Sequence, residues 1–347
     1  MTSTKFKRCI GIILCGLFLF AGQVQAKADP LAQWKPSFDP SGAEYTYLLS
    51  CVGHPAIEGV AVGFRIRDRV WELSNGRLYV DFRPLSQLGG EKDVITKLKF
   101  GAIQGMMSSS VAAANIAPML GIVNLPYVVD SFEKLDTFRN TPELWEPFRD
   151  APAQQNLQVI DFTGYGSYGW ATNSPVKSLQ DAKKIKFRIA QAPVNIDAYK
   201  AWGLQFTVMP WPDVPQALQT GVITGLDHTP IVCNISKKFS ISRYYTQLDY
   251  AQGLYVHLVN KRWLRSLPDE LAQILVQVIE EESVIARKLT QLQQEEQIAA
   301  AKQDGVTFIE LDQKDRQVLV EKSAELDSVW GEMIGQDYLQ KVRTTLH

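Results

Sequence analysis

The stretch "KIKFRIAQAPVNIDAYKAWGLQFTVM", residues 184–209, changes periodicity twice. In "IKFRIA" the apolar Ile185, Phe187 and Ile189 alternate with Lys186 and Arg188, which is the pattern of a strand with one buried face. The segment "PVNIDAYKAWG" reads as a helix, and "QFTVM" as a second strand. Lys186 and Arg188 are left on the other face of the first strand. In one reading both are solvated charges; in the other, Arg188 faces a cleft and holds an anion.

The same alternation continues on both sides of this unit. "YTYLLS", the helical stripe Ile57, Val60, Ala61, Phe64 and Trp71, the strand Leu78–Val80–Phe82 and the helix "GGEKDVITKLKFG" precede it. A buried-looking run, "AIQGMM", leads to Ser108, Ser109 and Ser110. "LQVIDF" and "GWATN" read as strands, "DVPQALQTG" as a helix and "GLYVHLVN" as a further strand. Strands alternating with helices indicate an α/β protein with open, doubly wound lobes, whose ligands sit beyond the carboxyl ends of the strands. No low-complexity linker divides the chain, so the lobes are expected to share strands or crossovers. From Pro268 to about Gln303 runs a helical pattern that Gly305 stops, with a polar gap at Glu281–Glu282. Such a helix either spans both lobes or breaks at the gap.

The amino terminus reads as a secretory leader. Lys5, Lys7 and Arg8 precede the apolar run Ile10–Ala21, and Val24–Gln25–Ala26 offers small residues for cleavage after Ala26. The run is too short for the ~20 residues of a spanning helix. Removing the leader takes the formal charge from −1 to −4, which argues against nucleic-acid binding. Cys51 and Cys233 remain, without metal-type spacing, and their pairing is left open. Four histidines, one of them C-terminal, argue against a His-based metal site.

"PLSQLGGEKDVITKLKFGAIQG", "LPYVV", "KIKFRIAQAPV", "MPWPDVPQALQTGVITGLDHTP" and "SLPDELAQILVQ" follow one another in an order that resembles the substrate-binding subunits of TRAP (tripartite ATP-independent periplasmic) transporters, of the dicarboxylate-receptor type. The resemblance covers nearly all of the mature chain. It implies a two-lobed periplasmic binding protein with hinge strands and a long helix spanning both lobes. The lobes would comprise residues 27–165 with 254–293, and 166–253 with 294–347. Such a receptor closes on an organic acid and docks on small and large membrane permease subunits, as a monomer and without a cofactor.

The resemblance places Arg188 at the family's carboxylate-binding arginine. A guanidinium fork matches a carboxylate bidentately. Where relatives that bind sialic acid carry a second arginine, this chain has Tyr168, with Trp170 two residues on. Trp211 corresponds to an aromatic that packs over the ligand, although a core role is the alternative. "GLDHTP" stands where "GQENP" is common, so Asp227 and His228 replace a Glu–Asn pair. His228 either donates to a ligand oxygen or makes a structural hydrogen bond; Asp227 either meets an amino group or is structural. Tyr255, Cys51, Ser109 and Ser110 align with pocket-facing positions. One fixed cation among aromatic walls indicates a monocarboxylate with an apolar or aromatic body, of the aromatic amino or keto acid type. A small aliphatic hydroxy, keto or dicarboxylic acid is the alternative, as is a binding protein that feeds a sensor.

An exported hydrolase is the rival from another class. "GYGSYG" lacks the G-x-S-x-G elbow, because Tyr165 stands two residues before Ser167. His54, His228 and His257 have no partner pattern that singles out a base. The sequence therefore indicates a receptor and not an enzyme.

Overall fold

Two strands far longer than the usual 5–6 residues run through the middle of the molecule, Leu157–Thr172 and Tyr244–Asn260. The computed structural model describes residues 30–347, and the leader expected over residues 1–26 lies outside them. Residues 30–37 form a short unit of their own, with a 3-10 turn at Ala32–Trp34.

In chain order the strands are β1 (Tyr45–Cys51), β2 (Leu78–Arg83), β3 (Gly105–Ser109), β4 (Leu157–Thr172), β5 (Phe187–Ile189), β6 (Phe206–Val208), β7 (Gly225–His228), β8 (Tyr244–Asn260) and β9 (Thr307–Glu310). They form one sheet ordered β2-β1-β3-β8-β4-β7-β5-β6, with β9 paired to β8. β1, β2 and β3 are mutually parallel, as are β5, β6 and β7. β3 joins the carboxyl half of β8, whereas β7 joins the carboxyl half of β4. The two long antiparallel strands thus carry one parallel sheet at each end, the architecture of a two-lobed α/β binding protein. "LQVIDF" and "GWATN", read separately in the sequence, are the two ends of β4.

The β4–β8 ladder is broken by register shifts between Val159 and Phe162, Gly164 and Gly166, and Ser167 and Gly169. A bulge kinks a strand and re-aims its side chains. Gly166 adopts φ +100°, which a residue with a Cβ rarely tolerates. Gly59, on the helix Glu58–Leu73, lies so close to the bulge that a Cβ there would sit 1.9 Å from the Gly164 carbonyl oxygen. The Thr163 hydroxyl donates to the Gly59 carbonyl at 2.6 Å.

The long helix, Asp269–Gln303, does not break at the polar gap. Glu282 is buried, and accepts from Arg65 Nε and Arg69 Nη1 of the neighbouring helix, each at 2.9 Å. The gap is thus a charge-paired seam. Farther along, Thr290 donates to the Gly164 carbonyl (3.0 Å) and Gln294 Oε1 accepts from the Ser167 N–H (2.6 Å). The helix holds both sides of the bulged region. The terminal helix Gln336–Leu346 follows, and Tyr338 donates to the Leu144 carbonyl at 2.6 Å in the helix Pro142–Asp150. Trp330 donates to Asp197 (3.2 Å) on the helix Pro193–Trp202, so the tail touches elements before and after the bulge.

Candidate ligand-binding site

A cavity of about 230 Å³ lies where the carboxyl ends of both parallel sheets meet. Val52, Gly53 and His54 follow β1, Leu85 and Ser86 follow β2, and Ser109 ends β3. From the other side come Arg188 and Ala190 at the end of β5, Trp211 after β6, and Asp227 and His228 at the end of β7. Tyr165 and Tyr168 of β4 and Tyr255 of β8 form the wall between them.

The two cations of the opening stretch separate. Lys186 is exposed, while Arg188 is only 5% exposed. Arg188 Nε and Nη2 both donate to the Met209 carbonyl, at 3.0 and 2.8 Å, which fixes the guanidinium plane. The group lies 5.6 Å from the centre of the Trp211 ring, whose other cationic neighbour is Lys238 at 5.0 Å. Lys238 is itself tied to the Ser236 carbonyl (3.0 Å). Arg188 makes no ion pair among the described residues, so part of its donor fork remains open to the cavity. Burial lowers its pKa, opposed by Tyr168, Glu91 and Asp227, and the guanidinium stays charged at neutral pH.

The carboxyl of Asp227 is enclosed. Tyr250 donates to both its oxygens at 2.8 Å and Asn195 Nδ2 to Oδ2 at 2.8 Å. Burial pushes its pKa up to about 7, against the lowering influence of Tyr250, Arg188 and Asn195. His228 accepts the Thr229 N–H through Nδ1 at 2.9 Å, which leaves Nε2 to carry the proton and act as a donor. Burial first, then Arg188 and Lys238, hold its pKa well below the ordinary range, so the ring is neutral.

Of the residues singled out in the sequence, Arg188, Tyr168, Trp211, His228, Tyr255, Ser109 and Asp227 line the cavity. Three others lie elsewhere. Trp170 is fully buried, donates to the Tyr199 hydroxyl at 2.9 Å and packs on Phe187 and Trp202. Period-two counting would put it beside Tyr168, but Tyr168 sits inside the irregularity between Ser167 and Gly169, and the alternation is lost there. Cys51 is buried within β1, where its sulfur accepts the Gly53 N–H at 3.4 Å; it is the next three residues that face the cavity. Ser110 is fully buried in the first turn after β3. Cys51 and Cys233 are both free thiols.

Among the lining residues not picked out in the sequence, Glu91, Tyr165 and Asn195 carry polar groups that bear on the site. In a regular strand Tyr165 and Tyr168, three apart, would point to opposite faces. The bulges bring their hydroxyls to 2.7 Å instead. Glu91 begins the helix Glu91–Lys99, and its two oxygens accept the Ser109 N–H (2.6 Å) and hydroxyl (2.9 Å). Burial raises its pKa, while Ser109 and Arg188 act to lower it. Its position beyond the carboxyl end of β2 was the available signal.

Residues 57–334 match the family model described as bacterial extracellular solute-binding protein, family 7 (DctP). The chain belongs to this family. It is a TRAP-type solute-binding receptor, and the family is one of transport receptors, not enzymes. The 2,3-diketo-L-gulonate-binding periplasmic protein YiaO of Escherichia coli is 28% identical over 260 residues, covering 72% of this chain and 76% of that protein. The C4-dicarboxylate-binding periplasmic protein DctP of Rhodobacter capsulatus is 26% identical over 277 residues, or 78% and 82% of the two chains. Among solved structures, a TRAP periplasmic solute-binding protein from Sulfurospirillum deleyianum, with bound succinate, superposes with a TM-score of 0.81 at 23% identity. That match covers 87% of this chain and 99% of the other. Family relatives are periplasmic by name, which agrees with the leader read from the sequence.

Proposed function

We propose that this receptor captures an organic monocarboxylate with a compact apolar or aromatic body and delivers it to the small and large membrane subunits of an ion-gradient-driven TRAP permease. The observation that carries this reading is the single cavity-lining cation, Arg188, fixed by the Met209 carbonyl and set among Tyr165, Tyr168, Trp211 and Tyr255. A guanidinium held in a defined plane favours one carboxylate, and its burial removes most solvent screening. The neutral His228 would donate Nε2–H to a ligand oxygen. The cavity lies below the ~300–1,000 Å³ of pockets for drug-sized ligands, which favours a single-ring body.

Closure would follow the bulged crossing of β4 and β8. Residues 27–165 with 254–293 would move against residues 166–253 and the remainder, while the long helix keeps contact with both. Calorimetric titration of the purified protein with benzoate, phenylalanine, phenylpyruvate, proline, lactate and succinate tests the ligand class. The expected outcome is stoichiometric, reversible binding of one or more ring-bearing monocarboxylates. Binding of succinate alone would sink the monocarboxylate reading.

A further inference from the structure

The charged groups lining the cavity are one cation, Arg188, and two acids, Glu91 and Asp227. An acid that is ionised in such a cavity repels a second anionic group of the ligand and attracts a cationic one. The two acids are also held differently. Asp227 is buried, with the one Tyr250 hydroxyl proton shared between its oxygens and Asn195 Nδ2 on one of them, whereas Glu91 is half-buried. Glu91 has one hydrogen bond per oxygen, both from Ser109, out of the roughly four that a carboxylate can accept. It makes no ion pair among the described residues. Glu91 and Arg188 both line this cavity and also a neighbouring groove of about 650 Å³, together with Ala190 and Trp211. Yet they do not pair with each other.

Two opposite charges that face one void without touching leave room for a molecule carrying the complementary pair. Building on the monocarboxylate reading above, we infer that the ligand is a zwitterion, an amino or imino acid whose carboxylate sits on Arg188 and whose N–H-bearing ammonium is received by Glu91. The arrangement selects twice. A dianion would bring its second carboxylate toward Glu91, and like charges in a desolvated site are strongly disfavoured. A desamino or keto acid of the same shape would satisfy Arg188 but leave Glu91 buried without a cation on closure. A quaternary ammonium, having no N–H, would not satisfy the open acceptor sites. The bonds to Ser109 give Glu91 a bracing role as well, at the start of the turn after β3. The ammonium role adds a preference that bracing alone would not produce.

The test compares matched pairs by calorimetry on the full mature protein: L-phenylalanine with 3-phenylpropionate, and L-proline with cyclopentanecarboxylate. The expected result is that the wild type binds the amino or imino member of at least one pair at least tenfold more tightly. In Glu91→Gln, which keeps an oxygen for Ser109 but loses the charge, that ratio should fall to within threefold through weakening of the amino member. Equal or tighter binding of the desamino acids by the wild type overturns the inference without any variant and leaves the monocarboxylate reading standing. Retention of the tenfold preference in a folded Glu91→Gln protein also overturns the role of Glu91. If no member of either pair binds while succinate does, the monocarboxylate reading and this inference fall together.

Discussion

Asp161 and Arg188 are both buried charged residues, and the chain treats them in opposite ways. Asp161, in β4, is fully enclosed and meets two cations. Arg139 donates Nε and Nη2 to its oxygens at 3.0 Å each, and Arg287 of the long helix adds Nη1 at 3.0 Å. The Phe162 N–H completes the set at 2.7 Å. Arg188 has only a neutral carbonyl, that of Met209, and open space in front. A buried charge that the chain closes with opposite charges holds elements together, here the long helix to β4. One that the chain leaves facing a void awaits its counter-charge from outside. The contrast separates structural from functional charge in a way that burial alone does not.

The strongest way to break the comparison is Arg188→Ala. Removing one member of a buried charge-assisted pair typically costs ~2–5 kcal/mol, so the ligand's Kd should rise roughly 30- to 5,000-fold in calorimetry. The unliganded protein should lose no more than about 1 kcal/mol, because relief of an unpaired buried charge offsets the orphaned Met209 carbonyl. Lys186→Ala, two residues away and exposed, is the control; both affinity and stability should stay within about 0.5 kcal/mol of wild type. Normal binding by Arg188→Ala would move the site elsewhere.

Asp161→Asn should do the reverse. It leaves Arg139 and Arg287 close together without their shared anion, and breaking such a buried pair costs about 3–5 kcal/mol. Denaturant unfolding should show that loss, with ligand affinity in the folded fraction unchanged within threefold. A large affinity change with little loss of stability would put Asp161 in the functional class and erase the distinction.

The difference between paired and open charges also explains what could be read from the sequence. Element types were legible because local period sets them: "IKFRIA" alternates, and β5, though only Phe187–Ile189, lies within it. That Arg188 and Lys186 part company was legible only through the family resemblance, since period two places both on one face. Charge pairing between distant segments was not legible. The gap at Glu281–Glu282 looked like a break because Arg65 and Arg69, which close it, lie more than 200 positions earlier in the chain. Two of the residues whose place the sequence did not reveal, Tyr165 and Trp170, lie on β4 at or beside its bulges. There the register shifts break the period-two alternation, so spacing along the strand does not tell which of Tyr165, Tyr168 and Trp170 share a face.

His257 shows a third way of handling a chargeable group, which is to keep the charge from forming. On β8, its Nε2 lies 2.9 Å from the Tyr47 hydroxyl, and its ring stacks near Tyr47 with 1% exposure. Burial lowers its pKa to about 3 from the ordinary 6.5. The unfolded chain therefore binds a proton below pH 6.5 that the folded chain refuses. Stability from this residue is complete above pH 6.5 and declines as pH falls from there toward 3, by up to ~1.4 kcal/mol per pH unit. Between pH 7.5 and 5.5 the wild type should lose about 1 kcal/mol through this residue. His257→Gln can still accept from Tyr47 but does not titrate. It should therefore be less stable than wild type at pH 7.5 and recover about 1 kcal/mol of that deficit at pH 5.5, as measured by urea unfolding. A deficit that is constant across this range would mean that His257 takes up its proton in the folded state, and that the β8 interior tolerates a charge as Asp161 does.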